Sequence, residues 1–275
     1  MSEVAALQPL DGGRPRIGSV LRAKLAEDRP LLGMGIVTAT PAAVELAGLT
    51  GFDYVFIDTE HTAIALSGVE ELIRAANVHD VATIVRVPDH GAASIRRVLE
   101  LGADAVKVPH VTSGGQAAAI VARARFAPAG ERGTAGFVRA AGYAASWPGW
   151  TERANRDLCV DVMIEDVAGV EAAEEIVSTP GVDLVSFGQV DYSVSAGIAG
   201  QVHDSKVDAA LARVCKAANA ADVAVFTIVL PPTDVDAAER LVDTGVRLLT
   251  FGNELTHLHG TFRKLAETAV RRIRR

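Results

Sequence analysis

Short apolar runs recur along this chain, separated by longer stretches whose apolar positions repeat every three or four residues. The runs are LLGMGIV (31–37), DYVFID (53–58), ATIVRV (82–87), DAVKVP (104–109), CVDVMIE (159–165), VDLVSFG (182–188), VAVFTIV (223–229) and VRLLTFG (246–252). Most are apolar at nearly every position and do not alternate, as strands do when a parallel sheet is covered on both faces. Between them, segments such as PAAVELAGLTG, SGVEELIRAANVH, GAASIRRVLELG and SKVDAALARVCKAANAAD carry helical period, and Gly102 and Gly245 stand where a helix ends in a left-handed residue. Strand then helix, repeated eight times, predicts a (β/α)8 TIM barrel as one domain over residues 1–275, with about residues 1–15 disordered. A doubly wound open sheet is the alternative architecture.

Two segments depart from the repeat. The connection from about Phe126 to Leu158 is longer than the rest and carries PAGERGTAG, Gly142, Tyr143 and WPGW. Because it comes after the fourth strand, it reads as a cover over an active site. The last segment, ELTHLHGTFRKLAETAVRRIRR, puts Leu255, Leu258, Phe262, Leu265, Ala269 and Ile273 on one stripe of an extended C-terminal helix, to pack on its own barrel or on another copy.

Composition narrows the class of protein. A hydrophobic fraction of 49% with 22% charged residues fills a large core and leaves little room for disorder outside the ends. The formal charge of −7 argues against a nucleic-acid partner, since tracking phosphates needs a concentrated basic stripe. The one basic cluster, Arg271 to Arg275, reads as favouring the C-terminal end of the last helix. Cys159 and Cys215 form no C-x-x-C and no disulfide framework, and neither reads as a nucleophile. No basic leader precedes an apolar stretch, and no run approaches the roughly 20 residues of a membrane span. A cytoplasmic protein without a membrane partner is the expectation.

Chemistry collects at the strand ends, where this fold places its active sites. The second strand delivers Asp58, Glu60 and His61, the third Arg86, the fifth Glu165, and the sixth leads to Asp191. A carboxylate closing an apolar strand has to be paired, protonated or bound to a metal, because a bare buried charge costs several kcal/mol. Glu165 and Asp191 from neighbouring strands therefore suggest a divalent-cation site, with pairing to Arg86 as the alternative. His61 reads equally as a satisfied histidine or a base, and Arg86 equally as a neutraliser of Asp58 or Glu60 or as an electrophilic group. Lys107 on the fourth strand is a rival nucleophile of the Schiff-base type, and that reading leaves Glu165 and Asp191 idle. His110 lies on the same rim without an assignable role, His257 and His259 read as solvent-facing, and Gly252 alone makes a poor phosphate loop.

The ordered set GFDYVFIDTEH (51–61), VRVP (85–88), LELGADAVKVPHV (99–111), PAGERG (128–133), MIED (163–166) and GVDLVSFGQVDYS (181–193) resembles the HpcH/HpaI aldolase family, from about Pro30 to Leu255. These are the metal-dependent class II pyruvate aldolases, which include 2,4-dihydroxyhept-2-enedioate aldolase and 2-keto-3-deoxy sugar-acid aldolases. The resemblance implies that Glu165 and Asp191 bind Mg2+, Mn2+ or Co2+, that His61 is the general base tuned by Glu100, and that Arg86 stabilises an enolate. It further implies that the main chain at Val190 and Asp191 receives the pyruvate carboxylate, that Asp58 and Glu60 support these groups, and that the chain assembles as a homo-oligomer, a hexamer. Three positions depart from the pattern: Met163 stands for a substrate-contacting glutamine, Gln189-Val190 for Pro-Ala or Pro-Ser, and Tyr192 for leucine. Arg139 would meet an acidic tail on the aldehyde or face solvent. The implied reaction cleaves or forms a 4-hydroxy-2-oxo acid through the enolate of pyruvate held on the cation. Decarboxylation of oxaloacetate, or capture of the enolate by another electrophile, is the alternative.

Overall fold

The computed structural model describes residues 18–145 and 149–274. The segment expected to be disordered, Trp147 and Pro148 of the WPGW motif, and Arg275 lie outside the described residues. All eight apolar runs are strands: β1 (Leu31–Ile36), β2 (Tyr54–Asp58), β3 (Ala82–Arg86), β4 (Ala105–Val108), β5 (Cys159–Ile164), β6 (Leu184–Phe187), β7 (Ala224–Ile228) and β8 (Leu248–Asn253). Each pairs in parallel with the next, and β8 returns to β1, so the sheet is a closed barrel and not an open one.

The unbroken apolar runs have a simple cause. Alternate residues feed two separate cores, one inside the barrel and one between barrel and helices. On β2, Tyr54 and Phe56 point inward with Leu31, Ile84, Leu184, Phe226 and Leu248, while Val55 and Ile57 meet the surrounding helices. Each such burial contributes about 1.5–3 kcal/mol. The inner core is fitted closely: a Cβ on Gly33 of β1 would stand 2.2 Å from the Tyr54 ring, whose hydroxyl meets Thr250 at 2.9 Å. Gly102 and Gly245 take the left-handed conformation at helix ends, with φ of 99° and 109°.

The N-terminal mouth is plugged by the helix Val20–Leu25, whose Val20 and Leu21 join the inner core. Asp104, fully buried just before β4, anchors this plug. Its carboxylate accepts the Val20 N–H at 2.7 Å, and the N–H and hydroxyl of Thr83 at 2.8 and 2.9 Å. The plug is thus tied to β3 and β4 by one side chain.

Topology overturns the reading of the long connection as a cover. The helix Gly114–Ala124 intervenes between β4 and that connection, and a helix returning between parallel strands leaves the chain at their N-terminal ends. There Phe126, Ala141 and Trp150 form a small core of their own. The C-terminal helix, Glu254–Ile273, also departs from one expectation: it buries none of its residues, and Leu255, Leu258, Phe262, Leu265, Val270 and Ile273 all stay exposed. Its stripe is not packed on its own barrel. Among the described residues, no helix is long and apolar enough to cross a membrane.

Burial pushes the Asp104 carboxyl up to about 6, against an ordinary value of 3.8 in the unfolded chain, with its hydrogen bonds opposing the shift. Stability from this group is therefore complete below the unfolded value and disappears as pH rises through the folded one. On lowering the pH from about 7.5 to about 5, wild type should gain stability relative to Asp104→Asn in paired urea titrations. A difference that stays flat or shrinks would contradict the assignment.

Candidate active site

The C-terminal ends of β2 to β5 carry one connected set of charges. Asp58 closes β2 and Arg86 closes β3, directly opposite in the strand register. Nε and Nη2 of Arg86 donate to the two Asp58 oxygens at 2.9 and 2.8 Å, a bidentate pair that is buried on both sides. The turn after β2 is fixed by the same carboxylate, which accepts the N–H groups of Glu60 and His61 at 3.0 and 3.4 Å. Burial pushes the Asp58 carboxyl up, but the Arg86 hydrogen bonds and charge outweigh it and hold the group below its ordinary value.

Glu60 is the junction of this set. It lies 3.2 Å from Arg86 Nη1, 3.6 Å from His61 Nε2 and 3.5 Å from His110 Nε2. Its Oε2 is buried and makes no hydrogen bond. His110 continues the chain of contacts to β5: its N–H donates to Glu165 Oε1 at 2.7 Å, and Nδ1 stands 3.0 Å from the same oxygen. To aim that N–H, His110 takes a left-handed backbone with φ of 56°. Such a conformation costs an L-residue about 1–2 kcal/mol.

Glu165 follows β5 and is only 2% exposed. Burial raises its pKa, with the charges of Asp191 and Glu60 adding to the rise and the His110 N–H and ring opposing it. Asp191 differs from the expectation of a costly strand-end charge, since it sits exposed in the first turn of the helix Gln189–Ser195. Burial therefore makes a bare charge costly at Glu165 and not at Asp191, whose charge adds to the rise at Glu165.

Counting charges tests whether a cation suits the rim. Asp58, Glu60 and Glu165 share the one charge of Arg86, and Asp191 adds a further negative charge beside Glu165, while Lys107 below is matched by its own Asp161. Negative charge is in excess, and a divalent cation at Glu165 and Asp191 fits it. Among the described residues, no three His, Cys, Asp or Glu side chains converge as a ligand cluster. A cation there would complete its shell with water or substrate oxygens, as Mg2+ commonly does.

A family model described as HpcH/HpaI aldolase/citrate lyase matches residues 32–260. The chain belongs to this family. A hydroxypyruvate/pyruvate aldolase of Paraburkholderia phytofirmans is 33% identical over 241 residues, covering 86% of this chain and 91% of that protein. A crystal structure of an HpcH/HpaI aldolase/citrate lyase family protein from Burkholderia cenocepacia superposes with a TM-score of 0.85 at 31% identity, covering 91% of this chain and 99% of that one. The crystal structure of the citrate synthase SbnG matches with a TM-score of 0.81 at 28% identity, covering 92% and 98%. This HpcH/HpaI member is a carbon–carbon lyase.

Not every residue singled out in the sequence joins the rim. Glu100 lies near the C-terminal end of the helix Ala92–Leu101, at the opposite end of the barrel, where Arg96 is 4.0 Å away. The carboxylate that His61 meets is Glu60. Arg139 is also at that far end, donating to the Leu101 carbonyl at 2.8 Å and to Asn77 at 2.7 Å, so within this chain it ties helix ends and reaches no substrate at the rim. Met163 is buried with its sulfur 3.9 Å from Arg86 Nη1, and Val190 is exposed beside Asp191. Gln189 donates to the Ile228 carbonyl and Tyr192 packs on Phe187, so both replacements lock the β6 turn in place. Lys107 is fully buried and paired with Asp161, out of reach as a nucleophile. His257 meets the Phe251 carbonyl at 2.7 Å. Near Gly252, the N–H groups of Val37 and Thr38 are already filled by Glu254 at 3.0 and 2.7 Å, which leaves no phosphate cradle.

The close approach of β6 to β5 makes Gly188 decisive. A Cβ there would stand 2.6 Å from Met163 Cε and 2.7 Å from Glu165 Cβ. Gly188→Ala should displace Glu165 and lower kcat/KM by about a hundredfold, as misplacements near 1 Å do. Circular dichroism and a melting curve would show the fold retained; an unchanged kcat/KM in the folded variant would contradict the placement.

Proposed function

We propose that this HpcH/HpaI member is a divalent-cation-dependent aldolase that cleaves or forms 4-hydroxy-2-oxo acids, with pyruvate or a close analogue as the 2-oxo product. The observation that carries the reading is the excess of carboxylates around one buried, bidentately held guanidinium at the barrel mouth. Glu165 and Asp191 would hold Mg2+, Mn2+ or Co2+, and the cation when bound would supply a Lewis acid that draws charge toward the keto oxygen of the 2-oxo acid.

The remaining steps fall to side chains and main chain. In the cleavage direction His61 takes the proton of the C4 hydroxyl, the C3–C4 bond breaks, and the aldehyde leaves. The electron pair of that bond becomes the enolate, and a proton returned to C3 gives the 2-oxo acid. Arg86, locked by Asp58, presents its Nη1 edge to the developing oxyanion, and a charge fixed in advance needs no reorganisation. Glu60 orients His61 in the role the resemblance gave to Glu100. The main chain at Val190 and Asp191 receives the carboxylate, and Met163 sets an apolar side chain against Arg86.

The likeness to a citrate synthase favours keeping a second reading, in which the same residues release CO2 from oxaloacetate to leave the enolate of pyruvate, or let another electrophile capture that enolate. Relative turnover of oxaloacetate and of 4-hydroxy-2-oxo acids separates the two. In either case a chelator should abolish turnover, and Mg2+, Mn2+ or Co2+ should restore it. His61→Ala should remove turnover while leaving Mn2+ affinity intact. Undiminished turnover after exhaustive chelation would sink the cation-dependent reading.

We further infer a homo-oligomer, a hexamer, supported by the exposed stripe of the C-terminal helix. Leaving so many large apolar side chains in water is unusual for a monomer. Phe262→Asp combined with Leu265→Asp should reduce the mass measured by light scattering. A mass unchanged by the pair would place the contact elsewhere.

A further inference from the structure

Below Arg86 the barrel holds a second pair of charges that the proposed reaction does not use. Lys107 on β4 and Asp161 on β5 are both fully buried, with Nζ 3.4 Å from Oδ2. Asp161 also accepts the Ser186 hydroxyl, at 2.8 and 2.9 Å from its two oxygens. The lysine has no such satisfaction: Nζ makes no hydrogen bond and stands 2.9 Å from the centroid of the Phe226 ring and 4.4 Å from that of Phe56. Removing two charges from water is expensive, and apolar side chains of similar volume would serve stability as well or better. Packing alone does not account for the pair.

Its position relative to Arg86 does. In the strand register Asp58 faces Arg86, Arg86 faces Lys107, and Lys107 faces Asp161, so four charged residues form one row across β2 to β5. The two cations are in the middle, and each is drawn outward by its own carboxylate. They lean on the same Phe56 ring, Arg86 at 5.4 Å and Lys107 at 4.4 Å. Like charges this near each other repel strongly where water is excluded. The guanidinium is thereby pressed toward Asp58 and Glu60, the side on which His61 stands. Burial draws the Lys107 amine down to about 7, Asp161 opposes that shift, and the Arg86 charge adds to it, as expected of two cations held side by side.

We propose that Lys107 is a positioning residue for Arg86: balanced by Asp161 and Ser186, its ammonium closes off the β4 side of the barrel and fixes the guanidinium where the enolate oxygen forms. The proposal rests on the aldolase reading for what Arg86 does once in place.

Lys107→Met alone would strand Asp161 without a counterion and endanger folding. Lys107→Met combined with Asp161→Asn removes both charges and keeps an acceptor for Ser186. The double variant should melt near wild type and keep KM and Mn2+ affinity within about twofold, while kcat falls about tenfold or more, since the loss is of charge aimed at the transition state. Affinity for oxalate, a planar mimic of the enolate, should fall by a similar factor in calorimetry. A folded double variant with wild-type kcat and oxalate affinity would overturn the proposal and leave the pair as packing. If wild type turns over no 2-oxo acid yet loses oxalate affinity in the double variant, the aldolase reading fails and the positioning stands.

Discussion

The bidentate bond between Asp58 and Arg86 is the constraint on which the rim depends. It joins the last residues of β2 and β3, so the guanidinium is held by two strands of a closed barrel and not by a mobile loop. Because the Asp58 carboxylate also accepts the N–H groups of Glu60 and His61, the same interaction sets the turn that carries them. Glu60 then passes the constraint through His110 to Glu165, across two further strands. A barrel lends itself to this, since the ends of adjacent parallel strands arrive at one rim and need only short side chains to meet.

The architecture was legible because the two cores of a barrel demand apolar residues on both faces of every strand, and eight such runs are difficult to arrange otherwise. Asp58, Glu60, His61, Arg86 and Glu165 were legible for a related reason: a charge at the end of an apolar run stands out against its neighbours. Their meeting follows from strand order, which the repeat already implied.

What the sequence left hidden depends on direction and facing. Glu100 and Arg139 belong to motif-bearing segments, yet both lie at the end of the barrel to which helices return, and a linear reading places them by proximity to motifs and not by which end of the barrel they reach. The long connection hides its place in the same way: it comes after β4 in the chain, but the helix Gly114–Ala124 carries it to the far end first. His110 gained its role from a left-handed backbone that no pattern of residue types announces. Lys107 and Asp161 did carry a signal, since each interrupts a valine run on neighbouring strands with opposite charge. Reading it required the register that sets them opposite each other.

The vertical order of charge in the barrel is informative in its own right. The lower inner layer is apolar, from Leu31 and Tyr54 to Phe226, and is closed by a plug tied through Asp104. Above it comes a row in which two carboxylates balance two cations. At the rim above that row, Glu165 feels the like charges of Asp191 and Glu60, and carboxylates outnumber the one guanidinium they share. Free energy explains the sequence of layers: an unmatched charge is tolerable only where water or a bound cation can reach it, and a matched pair can lie deeper at the cost of its desolvation. The excess at the rim is then a preference for positive charge, and Lys107, by satisfying Asp161, leaves Arg86 no deeper carboxylate to turn to.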